Sequence, residues 1–238
     1  MNTFFRNNSY LLRPIKRLAR LLALFITLSL FCAFVCSCQK KDKETDYYAY
    51  ISELRSNILL AQDDDFSLRV YAVEKEYPYA TDGVKHETTK RMELYLIAPS
   101  FEKQCTIAFE VDGKSYGGEL SFDSVKAQYY YSCSLDISSL EQLPCNIRFG
   151  EREKVLVAKT VKTPSTLTPK KVLQSVKEKE SELFSSLTDE YGFTGEIYLR
   201  LIFEEKPYYY LGVIDKKGNI TAFLINAENG NILAKRQS

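Results

Sequence analysis

The sequence predicts a mainly β protein with an α+β part: an antiparallel β-sandwich, followed by a small module of one helix and an antiparallel sheet. Three observations support this fold class. Segments that alternate apolar and polar residues recur about every ten residues from Phe66 to about Val161, with turn residues between them. A segment rich in proline and threonine at 162–168 interrupts the alternation. A helical apolar pattern follows, and further alternating segments come after it.

The chain begins with a basic segment and a longer apolar one. Arg13 to Arg20 are followed by an uncharged segment from Leu21 to Val35. This segment has about the length of the apolar core of a secretory signal peptide, and it is shorter than the roughly 20 residues of a transmembrane helix. We therefore predict a signal peptide over residues 1–37.

The end of this leader, Val35-Cys36-Ser37-Cys38, resembles the lipobox of bacterial lipoprotein signal peptides. In that pattern an aliphatic residue, a variable small residue and then Gly, Ala or Ser precede the cysteine that is acylated. The resemblance implies cleavage between Ser37 and Cys38 and a lipid on Cys38, with Cys36 as a departure from the usual pattern. Because two acyl chains anchor a protein stably, it also implies a lipid-anchored protein on the extracytoplasmic side of a bacterial cell membrane. The alternative, an uncleaved signal anchor, leaves the rest of the chain on the same side.

Removal of the leader changes the charge of the protein. The whole chain has a net charge of +1, but residues 1–37 contain five basic residues and no acidic one. The remainder has 27 basic and 31 acidic residues, a net charge of −4. Nucleic-acid binding depends on clustered positive charge, so we expect no nucleic-acid partner.

Residues 38–55 are predicted to form a tether and a short helix. The tether is indicated by the charged segment at 39–45. Four apolar residues after it have helical spacing: Tyr47, Ile51, Leu54 and Ile58. This spacing allows either one longer helix, or a short helix followed by a strand at Ser56–Gln62. We favour the second interpretation.

Residues 56–161 are predicted to form the β-sandwich. Asp112-Gly113 lies between two alternating segments, and such a dipeptide indicates a β-hairpin because both central positions of its turn need positive φ. About seven or eight short strands with turns between them are typical of an antiparallel sandwich with an immunoglobulin-like architecture. The strands predicted after residue 62 are Phe66–Val73, Met92–Ala98, Thr106–Val111, Lys114–Phe122, Ala127–Leu135, Ile147–Phe149 and Val155–Ala158.

Residues 162–168 are predicted to be a linker, and residues 169–238 an α+β module. Thr168 is a favourable N-cap, and Pro169 suits the first helical position. The helix is predicted to end at Gly192, since a residue with positive φ is favoured there. Apolar residues line one face of this helix: Val172, Leu173, Val176, Leu183, Phe184, Leu187 and Tyr191. The strands predicted after it, with the helix packed across their sheet, are Ile197–Phe203, Tyr208–Ile214, Ile220–Ile225 and Asn231–Ala234.

The C-terminal segment resembles the second half of a PepSY domain. Tyr210 to Asn219 form a strand and a charged turn with glycine, and Leu224 to Leu233 contain Asn226-Ala227-Glu228-Asn229-Gly230. The family pattern has Asp-Ala-x-x-Gly at the end of this second strand, so Asn226 replaces the usual aspartate. PepSY domains are extracytoplasmic modules associated with protease inhibition, prosegments and regulatory lipoproteins. The resemblance implies no catalytic residues.

Three cysteines follow Cys38, and each is in step with alternating apolar residues: Cys105, Cys133 and Cys145. This pattern is typical of thiols that behave as small apolar residues in a core. An oxidising extracytoplasmic compartment also allows one disulfide and one free thiol. Both interpretations stay open.

Tyrosines occur in two runs that lie in predicted strands, Tyr129-Tyr130-Tyr131 and Tyr208-Tyr209-Tyr210. Alternate side chains of a strand face opposite sides, so part of each run is expected to be exposed. We consider Tyr129, Tyr131, Tyr208 and Tyr210 as a candidate binding surface, because tyrosine is enriched in protein interfaces. The alternative is that these tyrosines only cover the sheet surface.

The expected function is a non-catalytic binding or accessory role in the cell envelope. The chain has one histidine, no His-Glu-x-x-His motif and no Cys-x-x-Cys pair, so we expect no metal or other cofactor. The expected partners are the membrane, through the lipid anchor, and a protein or peptide. Two alternatives are a cell-envelope hydrolase with a carboxylate-based site and a purely structural envelope lipoprotein.

Overall fold

The computed structural model describes residues 45–76, 87–102 and 104–238. The predicted signal peptide, the lipobox with Ser37 and Cys38, and the charged tether up to residue 44 lie outside the described residues, as does His86. The fold is therefore given from Thr45 onward.

The mainly β prediction is confirmed: most of the strands belong to one large, mostly antiparallel sheet. The strands of the first part are β1 (Ile51–Gln62), β2 (Ser67–Glu76), β3 (Thr88–Ile97), β4 (Cys105–Val111), β5 (Lys114–Glu119), β6 (Ser121–Asp123), β7 (Gln128–Cys133), β8 (Gln142–Phe149) and β9 (Arg152–Thr160). The helices α1 (Pro169–Lys179) and α2 (Ser181–Ser186) follow. The later strands are β10 (Thr188–Asp189), β11 (Gly192–Phe193), β12 (Glu196–Phe203), β13 (Pro207–Ile214), β14 (Ile220–Asn226) and β15 (Ile232–Gln237).

β1 is the strand that both parts of the sheet share. It pairs with β2 along most of its length, with β12 in parallel at its start, and with β9 near its end. Its start at Ile51 is earlier than the predicted Ser56, and the helical part before it is a short 3₁₀ turn at Tyr47–Tyr50. The ladder shifts register between Ile51 and Glu53 and again between Arg55 and Asn57. These irregularities break the period of two, which explains the helix-like spacing of the apolar residues in β1.

The first hydrophobic core contains residues from two sets of strands. β1, β2, β3, β7 and β6 are neighbours in one set, and β5, β4, β8 and β9 in the other, with β9 also paired to β1. Leu68, Leu94 and Ile147 are among its buried residues, all 2 % exposed or less. The predicted hairpin between β4 and β5 is confirmed, with φ of 51° at Asp112 and 73° at Gly113.

The second core lies between the two helices and the sheet of β12, β13, β14 and the start of β1. The Thr168 side chain accepts a hydrogen bond from the Lys171 backbone N–H, so the predicted N-cap is confirmed. The prediction of one helix as far as Gly192 is wrong. The chain leaves helical geometry at Glu180 (φ −119°, ψ 36°), and Gly192 lies in the small β10–β11 hairpin.

Candidate functional site

The main sheet path, β15-β14-β13-β12-β1-β2-β3-β7-β6, has a core face and an opposite face that we call the outer face. In β2, Val70 is fully buried on the core face and its neighbour Tyr71 lies on the outer face. In β13, Tyr209 is fully buried on the core face, so Tyr208 and Tyr210 lie on the outer face. The register across β1 places these core faces on the same side, so one outer face extends across both parts of the sheet.

A band of aromatic rings and guanidinium groups crosses the outer face over six strands, β13, β12, β1, β2, β3 and β7. Consecutive members are in contact, or are outward neighbours on the same strand. With strands about 4.8 Å apart, the band spans roughly 24 Å. We call it the aromatic band, and its members in order are Tyr210, Tyr198, Arg200, Glu53, Arg55, Tyr71, Tyr95 and Tyr130.

The first half of the aromatic band is held by an ion pair and a stacked pair of rings. The Tyr198 and Tyr210 rings stack with centroids 5.8 Å apart, and the Arg200 guanidinium lies 4.9 Å from the Tyr198 centroid. Arg200 donates to both carboxylate oxygens of Glu53, at 2.8 and 2.6 Å. Burial and a hydrogen bond with Tyr210 raise the pKa of Tyr198 to about 12. The Tyr198 ring covers Gly212 so closely that a Cβ on this glycine would lie 2.1 Å from the ring.

The second half of the aromatic band is a row of three tyrosine rings next to Arg55. The Arg55 guanidinium lies 4.3 Å from the Tyr71 centroid. The Tyr71 and Tyr95 rings are 5.7 Å apart, and the Tyr95 and Tyr130 rings 5.1 Å. The Tyr95 hydroxyl donates to Glu93, and burial together with the charge of Glu93 raises the pKa of Tyr95. These contacts fix the rings in place while their outer sides stay partly exposed.

The structure divides the four tyrosines of the predicted binding surface. Tyr208 and Tyr210 lie on the outer face as expected, but the predicted exposure of Tyr129 is wrong, since it is only 2 % exposed. Its hydroxyl donates to the Glu102 backbone carbonyl, and Tyr131 packs, half-buried, against the first core. Tyr130 is the member of this run on the outer face.

The alternation that predicts a core position for Cys133 also predicts core positions for Tyr131 and Tyr129. This signal in the sequence identifies Tyr130 as the outward residue. The other members of the aromatic band have no comparable signal, because contacts between strands that are distant in the sequence bring them together.

Cys105, Cys133 and Cys145 are free thiols. Cys105 and Cys145 are buried in the first core, and Cys133 is half-buried against it. Burial raises the pKa of Cys105 to about 11 and that of Cys145 to about 12. Both thiols are therefore protonated near neutral pH and are poor nucleophiles. The arrangement agrees with the interpretation as core thiols.

One match to a catalytic motif lies away from the aromatic band. Residues 113–117 are Gly-Lys-Ser-Tyr-Gly and match Gly-x-Ser-x-Gly. In α/β-hydrolases this motif forms a strained turn between a strand and a helix. In this chain it runs from the β4–β5 hairpin into β5, and Ser115 is exposed. The described residues include no histidine that could serve as its base.

A cleft of about 250 Å³ contains acidic and basic side chains that bear on the hydrolase alternative. The Lys90 ammonium donates to Asp136 at 2.7 Å. Burial opposes ionisation of Asp136, but hydrogen bonds from Lys90 and Ser138 outweigh it and lower the pKa of Asp136 to about 2. A carboxylate-based glycosidase needs one carboxyl group that stays protonated as the general acid. Asp136 lacks this property.

In the described parts of the chain, no three His, Cys, Asp or Glu side chains form a group that could hold a metal ion. The same parts contain no helix with the length and apolarity needed to cross a membrane. Comparisons of the chain with protein-family models, curated proteins and solved structures gave no match. The aromatic band is the candidate site because its rings and guanidinium groups form one connected series on the outer face.

Proposed function

We propose that the chain is a bacterial lipoprotein, anchored through Cys38 on the extracytoplasmic side of a membrane, that binds a protein or peptide partner without catalysing a reaction. The observation that supports binding best is the aromatic band. It runs across six strands from β13 to β7, and its central ring, Tyr71, also packs against the second core.

The composition of the aromatic band suits a protein interface. Tyrosine and arginine are enriched in interfaces and in the residues that contribute most to affinity. Ring contacts and the Glu53–Arg200 ion pair hold the side chains before a partner arrives. Little side-chain entropy is then lost on binding, and prior ordering of this kind increases affinity.

The proposed anchor keeps the folded part of the chain close to the membrane. Cys38 is followed by a short charged segment, and the first described residue is Thr45. A fully extended segment from Cys38 to Thr45 spans about 25 Å at most. The folded part would therefore stay near the membrane surface, and its partner would be another envelope component or a peptide in that compartment.

The finer description of the fold is also part of the proposal. An immunoglobulin-like sandwich over residues 56–161 is supported by the core shared between two sets of strands. A PepSY-like module over residues 169–238 is supported by a helix followed by antiparallel strands. Its Asn226 side chain accepts from the Glu228 backbone N–H in the turn, as the aspartate of the family pattern would.

The anchor is tested by substitution of the predicted lipid site. Cys38→Ala is expected to lack the acyl mass. The variant should either keep its signal peptide or leave the membrane fraction. Cys36→Ala is the matched control, and it should keep the acyl mass. Mass spectrometry of both variants and of the wild type provides the measurement. An unchanged mass in Cys38→Ala would contradict the proposal.

The binding face is tested by photo-crosslinking in intact cells. A benzophenone amino acid is placed at Tyr130 or Tyr208 on the outer face, and at Val155 as the control. Val155 is 59 % exposed and lies on β9 in the other set of strands. We expect a discrete protein adduct from the outer-face positions that is missing at Val155. Equal adducts at all three positions, or none at the outer face, would argue against the proposed partner.

A further inference from the structure

A pocket lies beside Arg55 and Tyr71, near the middle of the aromatic band, where two strands separate. The parallel pairing of β1 with β12 ends at Arg55 and Arg200. Beyond this point β1 pairs with β9, whereas β12 continues to Phe203 with β13 as its remaining ladder partner. A cavity of about 340 Å³ lies between the diverging strands and β2. We call it the fork pocket.

The walls of the fork pocket are mostly polar, with an apolar part between β1 and β12. Ile58 and Leu60 line it from β1, and Ile202 and Phe203 from β12. Leu60, Ile202 and Phe203 are only partly buried, so they offer apolar surface to a ligand. Ligand pockets commonly have volumes of about 300–1,000 Å³. The fork pocket is therefore large enough for one residue of a peptide and its side chain.

Two arginines supply positive charge to the fork pocket, Arg55 from β1 and Arg69 from β2. The Arg55 Nε atom is buried and has no hydrogen-bond partner, and among the described residues no carboxylate pairs with Arg55 or Arg69. The neighbouring Arg200, by contrast, is fully engaged by Glu53. The charges of Arg55 and Arg69 are therefore not neutralised by a carboxylate in the described part of the chain, and an anionic ligand could pair with them.

The charge of the fork pocket favours an anionic ligand. Glu204 is its one acidic lining residue in the described part of the chain, against two arginines. Arginine guanidinium groups bind carboxylates with paired, charge-assisted hydrogen bonds. The apolar side chains of Leu60, Ile202 and Phe203 beside these groups suit a carboxylate that is attached to an apolar side chain.

We propose that the fork pocket binds the C-terminal residue of a peptide, with its carboxylate on Arg55 and Arg69 and its apolar side chain against the apolar part of the walls. This inference rests on the proposed binding function and specifies the part of the partner that enters the sheet face. Capture of a terminal carboxylate is a recurring mode of peptide recognition. The ring of Tyr71 holds the Arg55 guanidinium in position for this contact.

The test is a fluorescence-polarisation titration of the full chain in detergent micelles. The probe is fluorescein-Gly-Ser-Gly-Ser-Leu with a free terminal carboxylate, compared with the same peptide as its amide. We expect the free acid to bind at least about tenfold more tightly than the amide, as for the loss of a charge-assisted pair. Equal binding of the two peptides would overturn the proposal.

Variants identify the pocket and separate binding from folding. Arg55→Met is expected to weaken binding of the free acid about tenfold or more. Arg69→Gln should weaken binding of the free acid about threefold, and Glu204→Gln should strengthen it about threefold by removing a like charge. Both effects are small because these two side chains are exposed. Arg148→Gln is the control, since Arg148 is an exposed arginine on β8 that pairs with Glu153. A gain in Glu204→Gln cannot result from misfolding. Loss of binding in Arg148→Gln to the same extent as in Arg69→Gln would overturn the assignment.

Inorganic phosphate distinguishes a peptide site from a general anion site. Under the proposal, phosphate at a concentration equal to the dissociation constant of the peptide probe leaves the peptide bound. Phosphate has no apolar side chain that could contact the apolar part of the pocket. Displacement at that concentration would overturn the peptide assignment. If the peptide test fails while the crosslinks at Tyr130 and Tyr208 form, this inference falls and the proposed function stands.

Discussion

Asn57→Asp is expected to lower the free energy of unfolding by about 3 kcal/mol, because it places a carboxylate against two carbonyl groups. Asn57 is fully buried in β1. Its amide donates to the backbone carbonyls of Ile137 and Leu140, at 3.2 and 2.9 Å. Its carbonyl oxygen accepts from the Thr160 hydroxyl at 2.6 Å. The residue therefore joins β1 to β9 and to the segment before β8.

The effect of Asn57→Asp should depend on pH. Burial next to carbonyl oxygens disfavours the charged form, so the pKa of the new carboxyl is raised on folding. The variant is then least stable above that raised pKa, and it recovers stability as the pH falls and the group is protonated. Urea unfolding at pH 5 and pH 8 measures this. Asn146→Asp is the matched control, since Asn146 is exposed on β8. Similar small changes in both variants would contradict the prediction.

Gly212→Val is the second substitution with a large expected effect, a loss of about 2–3 kcal/mol from overpacking. The Tyr198 ring occupies the space that any Cβ at this position needs, with a ring atom 2.1 Å away. The ring must leave, and it then loses its stacking on Tyr210 and its contact with Arg200. The aromatic band would be broken at β12.

A double-mutant cycle checks this cause. In a Tyr198→Ala background the space above Gly212 is open, so Gly212→Val should cost much less than in the wild type. The coupling energy between the two substitutions is expected to exceed about 1 kcal/mol, the range found for residues in direct contact. Thermal or urea unfolding of the four proteins provides the cycle. Additive effects would show that the Tyr198 ring is not the cause of the loss.

Most strands were predictable because their signals are local. The Asp112-Gly113 hairpin needs only its own dipeptide, and the Thr168 cap only its neighbours. The break at Glu180 was not predictable, since the apolar helical spacing continues past it to Phe184 and no glycine or proline marks it. Local patterns identify elements, but a turn stabilised by tertiary packing leaves the pattern unchanged.

The candidate site was predictable only in part. The alternation within β13 gives Tyr208 and Tyr210 their outward positions. No local pattern places Arg55 beside Tyr71, or Arg200 on Glu53, because the register shift in β1 and its pairing with β12 decide both contacts. The fork pocket exists for the same reason, since it lies where that pairing ends.

The sharing of β1 has a consequence for the order in which the protein folds. Ser52 bonds to Ile197, 145 positions later in the chain. At ribosomal rates of about 5–20 residues per second, the two are made roughly 7–30 s apart. The strand nearest the proposed anchor is therefore among the first to be synthesised, yet its first half completes its ladder only when β12 arrives. Until then Ile51 and Leu54 are an apolar sheet edge, the kind of surface that folding chaperones protect.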